Sequence, residues 1–256
     1  MDIANLKFET FEKTVPEALD AIGASGRISE QKAVLIKPNL VNDSPHPITT
    51  SPETCEAVVN YVRKHSRAEI VIAEGCGSST LETPEVMRRL GYWELSERLG
   101  VPLVDLNYGP VRKISDPKCA VFKELYLPEI AFSHYIISVP VLKRHSLAIV
   151  TGTLKNMMGF AQPEYFHSDN HGRWKKSLFH GQIQESLIDL NRHLVPDLTV
   201  LDASVGMAEY HLGGAHCDPP VSRIVAGYNP WEIDREAAEL LGEDWRKIEH
   251  IAAGLR

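Results

Sequence analysis

Lys32-Ala33-Val34-Leu35-Ile36-Lys37-Pro38-Asn39 is the stretch from which the fold can be worked out. Its apolar run is short and breaks at Pro38, which is typical of a strand that is buried in a sheet and ends at Lys37. After a polar loop, Thr50-Ser51-Pro52-Glu53 offers a capping hydroxyl followed by a proline near the first helical position. A helix is therefore predicted to run from there to about His65, in the order strand, loop, helix.

Further short apolar runs repeat this order along the chain. Glu69–Ala73 predicts a second strand, and Thr83-Pro84-Glu85 starts the next helix with the same chemistry. Other runs predict strands at 101–106, 135–141, 198–201 and 224–226, and helices at 178–193, 232–241 and 244–253. The polar residues 110–128 predict a short antiparallel excursion.

Strands that alternate with helices predict an α/β fold, with a mostly parallel central sheet covered by helices on both faces in three layers. The chain has 256 residues and is 43% hydrophobic, which suffices for a single α/β domain over residues 1–256. Residues 159–177 mix glycine, histidine and aromatic side chains between the predicted elements. They predict a long functional loop.

The charge balance limits the classes of partner. A net charge of −7 argues against attraction of the whole surface to nucleic acid or to an anionic membrane, so neither is expected as a partner. No apolar run approaches the roughly 18 residues of a membrane span. Because Met1–Asn5 lacks the basic and apolar zones of a secretory signal, a cytoplasmic location is expected.

The cysteines argue against an intrinsic iron–sulfur cluster. Cys55, Cys76, Cys119 and Cys217 are far apart and show neither the paired spacing of a zinc knuckle nor the clustered spacing of a ferredoxin. We therefore expect no intrinsic iron–sulfur cluster. The sequence does not identify any other cofactor or metal.

Three lysines stand where buried runs end or a helix begins. Lys37 and Lys143 follow apolar runs, and Lys155 stands in Thr151-Gly152-Thr153-Leu154-Lys155-Asn156. The residues that follow the strands of an open parallel sheet share one crevice, so these lysines predict a cationic site for an anion. If Thr151 or Thr153 caps a helix there, its free amides and Lys155 would hold that anion. The alternative is that each lysine is a solvated surface residue.

Other polar residues are candidates for the same crevice. The loop Glu74–Thr80 is rich in glycine and hydroxyls, like a phosphate-cradling loop, but it lacks the Walker ending, and a plain tight turn is the alternative. Asp202 follows a strand and is a candidate base or metal ligand, with a salt bridge as the alternative. His145, His167 and His180 border the lysine-bearing segments, and ordinary loop histidines are the alternative.

Five segments in this order are similar to the family catalogued as domain of unknown function 362. They are Lys37-Pro38-Asn39-Leu40, Thr50–Glu53, Val139–His145, Thr151–Gly159 and Leu198–Asp202, and they span most of the chain. The resemblance implies one shared pocket, formed by Lys37, Asn39, Lys143, Lys155, Asn156 and Asp202. Since the family has no assigned activity, it implies no reaction.

Members of that family often occur beside, or fused to, ferredoxin-like iron–sulfur modules. The resemblance therefore implies a redox setting and makes a ferredoxin-like protein a candidate partner. This chain departs from the fused form because it has no clustered cysteines.

Two functions follow as hypotheses. The first is an enzyme or binding protein for a phosphate- or carboxylate-bearing small molecule, and whether it is catalytic is left open. Its catalytic candidates are Lys155, Asp202 and His145, and its ligand-binding candidates are Lys37, Asn39, Lys143, Thr153, Asn156 and Glu74. The alternative is a non-catalytic partner or carrier for iron–sulfur proteins that docks through residues 159–177.

Overall fold

The centre of the protein is a nine-stranded sheet, seen in a computed structural model that describes residues 2–256. The strands are β1 Ile3–Lys7, β2 Ala33–Pro38, β3 Glu69–Glu74, β4 Leu103–Asp105, β5 Val111–Ser115, β6 Glu124–Pro128, β7 Tyr135–Val139, β8 Val141–His145, β9 Ile149–Thr151, β10 Leu198–Met207 and β11 Arg223–Gly227. The helices are α1 Phe11–Ala21, α2 Ala24–Ser29, α3 Pro52–His65, α4 Thr83–Arg89, α5 Tyr92–Leu99, α6 Thr153–Asn156, α7 Pro163–Phe166, α8 Ile183–His193, α9 Pro230–Leu240 and α10 Glu249–Ala252.

The sheet is mixed but mostly parallel. Its order is β1-β11-β10-β7-β2-β3-β4, with β8 paired to β10 and β9 to β8. The pairs β2–β3, β3–β4, β2–β7, β7–β10 and β8–β10 are parallel, whereas β1–β11, β10–β11 and β8–β9 are antiparallel. β5 and β6 form a separate two-stranded antiparallel sheet. The predicted fold class and the excursion at 110–128 are confirmed.

Alternate residues of the central strands pack against different helices, as the pleat of a strand requires. Val34 and Ile36 belong to an apolar cluster that includes the buried residues of α1 and α3. Leu35 belongs to a second cluster with Leu187 and Leu190 of α8. Helices therefore cover both faces of the sheet, and the three layers are confirmed.

The strand predicted at 135–141 is in fact two strands. Pro140 separates β7 from β8, and a proline has no N–H to donate to a ladder. β10 pairs first with β7 and then, from Asp202 onward, with β8. Lys143 therefore lies within a strand, and Asp202 lies inside the ten-residue β10 instead of following a strand that ends at Leu201.

The predicted functional loop and the helix after it differ in detail from the prediction. Residues 159–177 contain α7 and a 3-10 turn, Asp169–His171. The helix predicted from residue 178 begins only at Ile183, because Ser177–Gly181 forms another 3-10 turn.

None of the helices in residues 2–256 combines the length and the apolarity that a membrane crossing requires.

Candidate functional site

A buried ion pair joins the ends of two neighbouring strands. β2 and β3 are parallel and in register, so Lys37 near the end of β2 reaches Glu74 at the end of β3. The Lys37 Nζ lies 2.5 Å from Oε2 of Glu74, and Lys37 is 0% exposed. Burial lowers the pKa of Lys37, and the negative charge of Glu74 opposes that shift. This lysine is already neutralised by a protein carboxylate.

Two asparagines connect this pair to a second buried lysine. The Oδ1 atom of Asn156 accepts hydrogen bonds from Nζ of Lys37 at 3.1 Å and from Nδ2 of Asn39 at 3.3 Å. The Oδ1 atom of Asn39 in turn accepts one from Nζ of Lys143 at 2.6 Å. Burial, and then the positive charge of Lys155, lower the pKa of Lys143 to about 7. The structure thus brings Lys37, Asn39, Lys143 and Asn156 together, and protein oxygens accept hydrogen bonds from both lysines.

Lys155 differs from these two lysines because it lines an open cleft. In residues 2–256, no carboxylate pairs with its ammonium group and no hydrogen-bond acceptor contacts it. Burial alone lowers its pKa to about 8. A cation that is held in a partly dry site without a partner is destabilised, and an anion in the cleft would relieve that cost.

The amides at the start of α6 are not free to hold this anion. The Asp234 carboxylate accepts hydrogen bonds from the N–H groups of Thr153 at 2.5 Å and Leu154 at 3.0 Å. The structure therefore contradicts the expectation that a threonine caps this helix and leaves its amides to a ligand. Thr153 is buried and does not line the cleft. Gly152 is needed here, because a Cβ atom at this position would collide with Oδ1 of Asp234.

The cleft has a volume of about 240 Å³ and contains several imidazoles. The rings of His145 and His211 stack with centroids 3.8 Å apart, and His180 also lines the cleft. The Nδ1 atom of His145 accepts hydrogen bonds from two backbone N–H groups, so the proton of the neutral ring resides on Nε2. In the described chain this buried Nε2 has no hydrogen-bond partner, and the same is true of Nδ1 in His180 and His211.

Burial keeps these imidazoles uncharged. It is the main cause that lowers the pKa of all three rings, and nearby positive charges, chiefly that of Lys155, lower it further. For His211 the pKa falls to about 3. The cleft therefore combines an unpaired ammonium group with neutral rings whose nitrogens have free hydrogen-bonding capacity.

Lys176 is a site residue that the sequence analysis missed. Its Nζ donates hydrogen bonds to the carbonyl oxygens of Gly75 at 2.6 Å and Gly159 at 2.9 Å. Burial lowers its pKa to about 8. Its position in residues 159–177 is the one signal that pointed to it.

Glu74 is the only carboxylate among the described residues that line the cleft, so the lysines around it outnumber their counter-charge.

Two other predicted residues lie elsewhere. Asp202 is fully buried in β10 and does not line the cleft. It accepts hydrogen bonds from Ser204 and lies 3.0 Å from Nε2 of His46, which corresponds to the salt-bridge alternative. His167 contacts the exposed Asp169 and also lies outside the cleft.

The Glu74–Thr80 loop forms a tight turn in which side chains already accept the N–H groups of Gly75 and Cys76. The N–H of Gly75 donates to the Glu74 carboxylate, and the N–H of Cys76 donates to Oγ1 of Thr83. Burial raises the pKa of the Cys76 thiol, so it is not an activated thiolate. Of this loop, Glu74, Gly75 and Gly77 line the cleft.

The close approach at Gly159 leads to a first prediction. A Cβ atom there would collide with Cε and Nζ of Lys37 and with Oε1 of Glu74. We expect Gly159→Ala to lower the free energy of unfolding by about 1–3 kcal/mol, because the buried pair must separate or the backbone must shift. Chemical denaturation measures this. Gly26→Ala is the matched control, since nothing lies within 4 Å of its Cβ position. Equal stability of the two variants would contradict the packing described.

The fold and the site define an α/β protein with a lysine-rich cleft at the ends of its central strands. The chain belongs to the family described as Domain of unknown function (DUF362), whose model matches residues 34–239. No curated protein matches it.

A solved structure supports the fold. The lactate racemase apoprotein from Thermoanaerobacterium thermosaccharolyticum superposes with a TM-score of 0.61 at 15% sequence identity. The match covers 94% of this chain and 56% of the racemase chain, so this chain spans little more than half of that protein's length.

Proposed function

We propose that this protein binds a small carboxylate in the cleft lined by Lys155, and that the neighbouring imidazoles exchange a proton with it. The observation that carries the proposal is the ammonium group of Lys155, which has no counter-charge in the described chain. Hydrogen bonds between an ammonium group and a carboxylate are among the strongest available in proteins. A bound carboxylate would raise the pKa of Lys155 toward its ordinary value.

The distribution of donors favours a carboxylate over a phosphate. Phosphate sites usually present several free backbone N–H groups at a helix start or in a glycine-rich loop. Here the Asp234 carboxylate accepts the first two N–H groups of α6, and the side chains of Glu74 and Thr83 accept the N–H groups of Gly75 and Cys76. The main side-chain donors of the cleft are Lys155 and the Nε2–H of His145. The solved neighbour is named as a racemase of lactate, which is a small carboxylate, and this name agrees with the proposal.

Proton exchange is supported by the groups that surround Lys155. A general acid or base works best when its pKa lies near the working pH, and a bound carboxylate would offset the positive charge of Lys155 that helps to lower the pKa of His180 and His211. The uncharged rings of His180 and His211 each have a buried Nδ1 without a partner in residues 2–256. These groups are the candidates to take a proton from the bound molecule or to return it.

The remaining hypotheses from the sequence stay predictions. One of them is that residues 159–177 form a docking surface for a ferredoxin-like protein. Three of their side chains, His171, Trp174 and Lys176, line the cleft. This placement agrees better with a ligand site than with a docking surface.

Calorimetric titration tests the proposal. We expect lactate or a similar small carboxylate to bind, and its uncharged amide to bind at least tenfold more weakly. The affinity for the carboxylate should fall more than tenfold between about pH 7 and about pH 9.5, since Lys155 loses its proton as the pH rises through its pKa of about 8. Lys176, with a similar pKa, adds to the fall. Equal binding of acid and amide, or an affinity that does not depend on pH, would overturn it.

A further inference from the structure

A second cluster of potential ligands lies away from the cleft, where the β5–β6 hairpin meets α8. Among the histidine, cysteine, aspartate and glutamate side chains of residues 2–256, Asp116, Cys119 and His193 form the one group of three whose ligand atoms all lie within 4.8 Å of one another. Asp116 and Cys119 stand in the loop between the two hairpin strands, and His193 ends α8. None of the three lines the cleft.

The two distances from His193 to the other ligands match the edges of a tetrahedral metal site. Zinc bonds of about 2.3 Å to sulfur and about 2.0 Å to nitrogen and oxygen put sulfur about 3.5 Å from nitrogen, and nitrogen about 3.3 Å from oxygen. The Sγ of Cys119 lies 3.6 Å from Nε2 of His193. Oδ2 of Asp116 lies 3.2 Å from the same nitrogen.

The sharing of one nitrogen excludes a catalytic triad. In a nucleophilic triad the carboxylate contacts one ring nitrogen and the nucleophile contacts the other. Here Nε2 of His193 faces both the sulfur of Cys119 and the carboxylate of Asp116. Three different donor atoms that converge on a common point are the arrangement that a metal ion requires.

The surrounding contacts hold the ligands in place. Oδ1 of Asp116 accepts the N–H of Lys118 at 2.8 Å, which leaves Oδ2 directed at the cluster. The Asp189 carboxylate, one turn before His193 on α8, accepts the N–H groups of Ala120, Val121 and Phe122. Such outer contacts are what orients the ligands in protein metal sites.

We propose that Asp116, Cys119 and His193 bind a zinc ion that fastens the β5–β6 hairpin to α8. The side chains of Asp116 and His193 are 17% and 18% exposed, so water can enter and supply the fourth ligand. On binding, the Cys119 thiol loses its proton to solvent and its thiolate coordinates the ion. The ion would add a second link between this loop and α8, beside the hydrogen bonds that Asp189 accepts from the loop.

Spectroscopy with Co²⁺ in place of zinc tests this proposal. We expect one equivalent of Co²⁺ to give the visible bands of a tetrahedral site together with a near-ultraviolet band from thiolate to cobalt, and Zn²⁺ to displace it. Cys119→Ser should remove the thiolate band, and Asp116→Asn should weaken Co²⁺ binding at least tenfold. Cys217→Ser is the matched control and should leave the spectrum unchanged.

Thermal unfolding provides a second readout if a variant folds poorly. Zn²⁺ should raise the unfolding midpoint of the unmodified protein and of Cys217→Ser, but not of Cys119→Ser. Absence of tetrahedral bands in the unmodified protein would overturn the proposal. So would a thiolate band that persists in Cys119→Ser. A failure here would leave the carboxylate site untouched, because the two sites share no residue.

Discussion

Glu74→Ala is expected to lower the free energy of unfolding by about 3–5 kcal/mol, because it leaves the buried charge of Lys37 without a partner. The ammonium group of Lys37 is 0% exposed, and without Glu74 its remaining acceptors are the neutral oxygens of Pro38 and Asn156. Breaking a buried pair by removing one partner costs far more than the pair contributes, since the other charge stays without compensation.

A second substitution separates this cause from a simple loss of packing. Adding Lys37→Met to Glu74→Ala removes the stranded charge, so we expect the double variant to recover part of the lost stability. Glu82→Ala is the matched control, because Glu82 pairs with Lys175 while its own side chain is 54% exposed. Exposed pairs contribute about 1 kcal/mol or less. If Glu74→Ala lost as little free energy of unfolding as the control, the charge of Lys37 would not depend on Glu74 as described.

Lys155→Met is expected to weaken carboxylate binding by about 10- to 100-fold while leaving stability unchanged or improved. Hydrogen bonds to charged groups contribute about 1.5–3 kcal/mol, which corresponds to that loss of affinity. Stability should not fall, because burial disfavours the charged form of Lys155 and no protein group in the described chain compensates it. Calorimetry and denaturation of the same sample measure both effects.

The control for this prediction is Lys247→Met, which removes an exposed lysine that does not line the cleft. Its affinity for the carboxylate should equal that of the unmodified protein. If Lys155→Met bound the carboxylate as tightly as Lys247→Met does, the ammonium group would not be the anion's partner. If Lys155→Met were instead strongly destabilised, Lys155 would have a structural role that its lack of partners does not indicate.

The sequence predicted the site residues that lie at the ends of the central strands. Lys37 and Glu74 end apolar runs in neighbouring parallel strands, and the register of β2 with β3 brings them into contact. Lys143 reaches Asn39 from within β8, and Asn39 in turn contacts Asn156.

The parts that the sequence could not predict depend on contacts between distant segments. Asp234 comes from α9, 81 residues after Thr153, and occupies the amides that were expected to be free. Lys176 reaches Gly75 across 101 residues because the chain returns over the cleft. His193 lies 74 residues after Cys119, so no local spacing signals the proposed zinc ligands. A local sequence pattern predicts where a strand ends, but it does not predict which distant side chain forms hydrogen bonds with the residues there.

Site-resolved titration of Lys155 by NMR, with the lysine side chains labelled at the ε carbon and Lys155→Met used for assignment, tests the central claim most directly. In the free protein we expect Lys155 to titrate near its pKa of about 8. Saturation with the carboxylate should raise that value toward the ordinary 10.5 of lysine, because the anion stabilises the protonated form. A Lys155 that titrates at its ordinary pKa in the free protein, or one whose pKa does not respond to the carboxylate, would contradict the account.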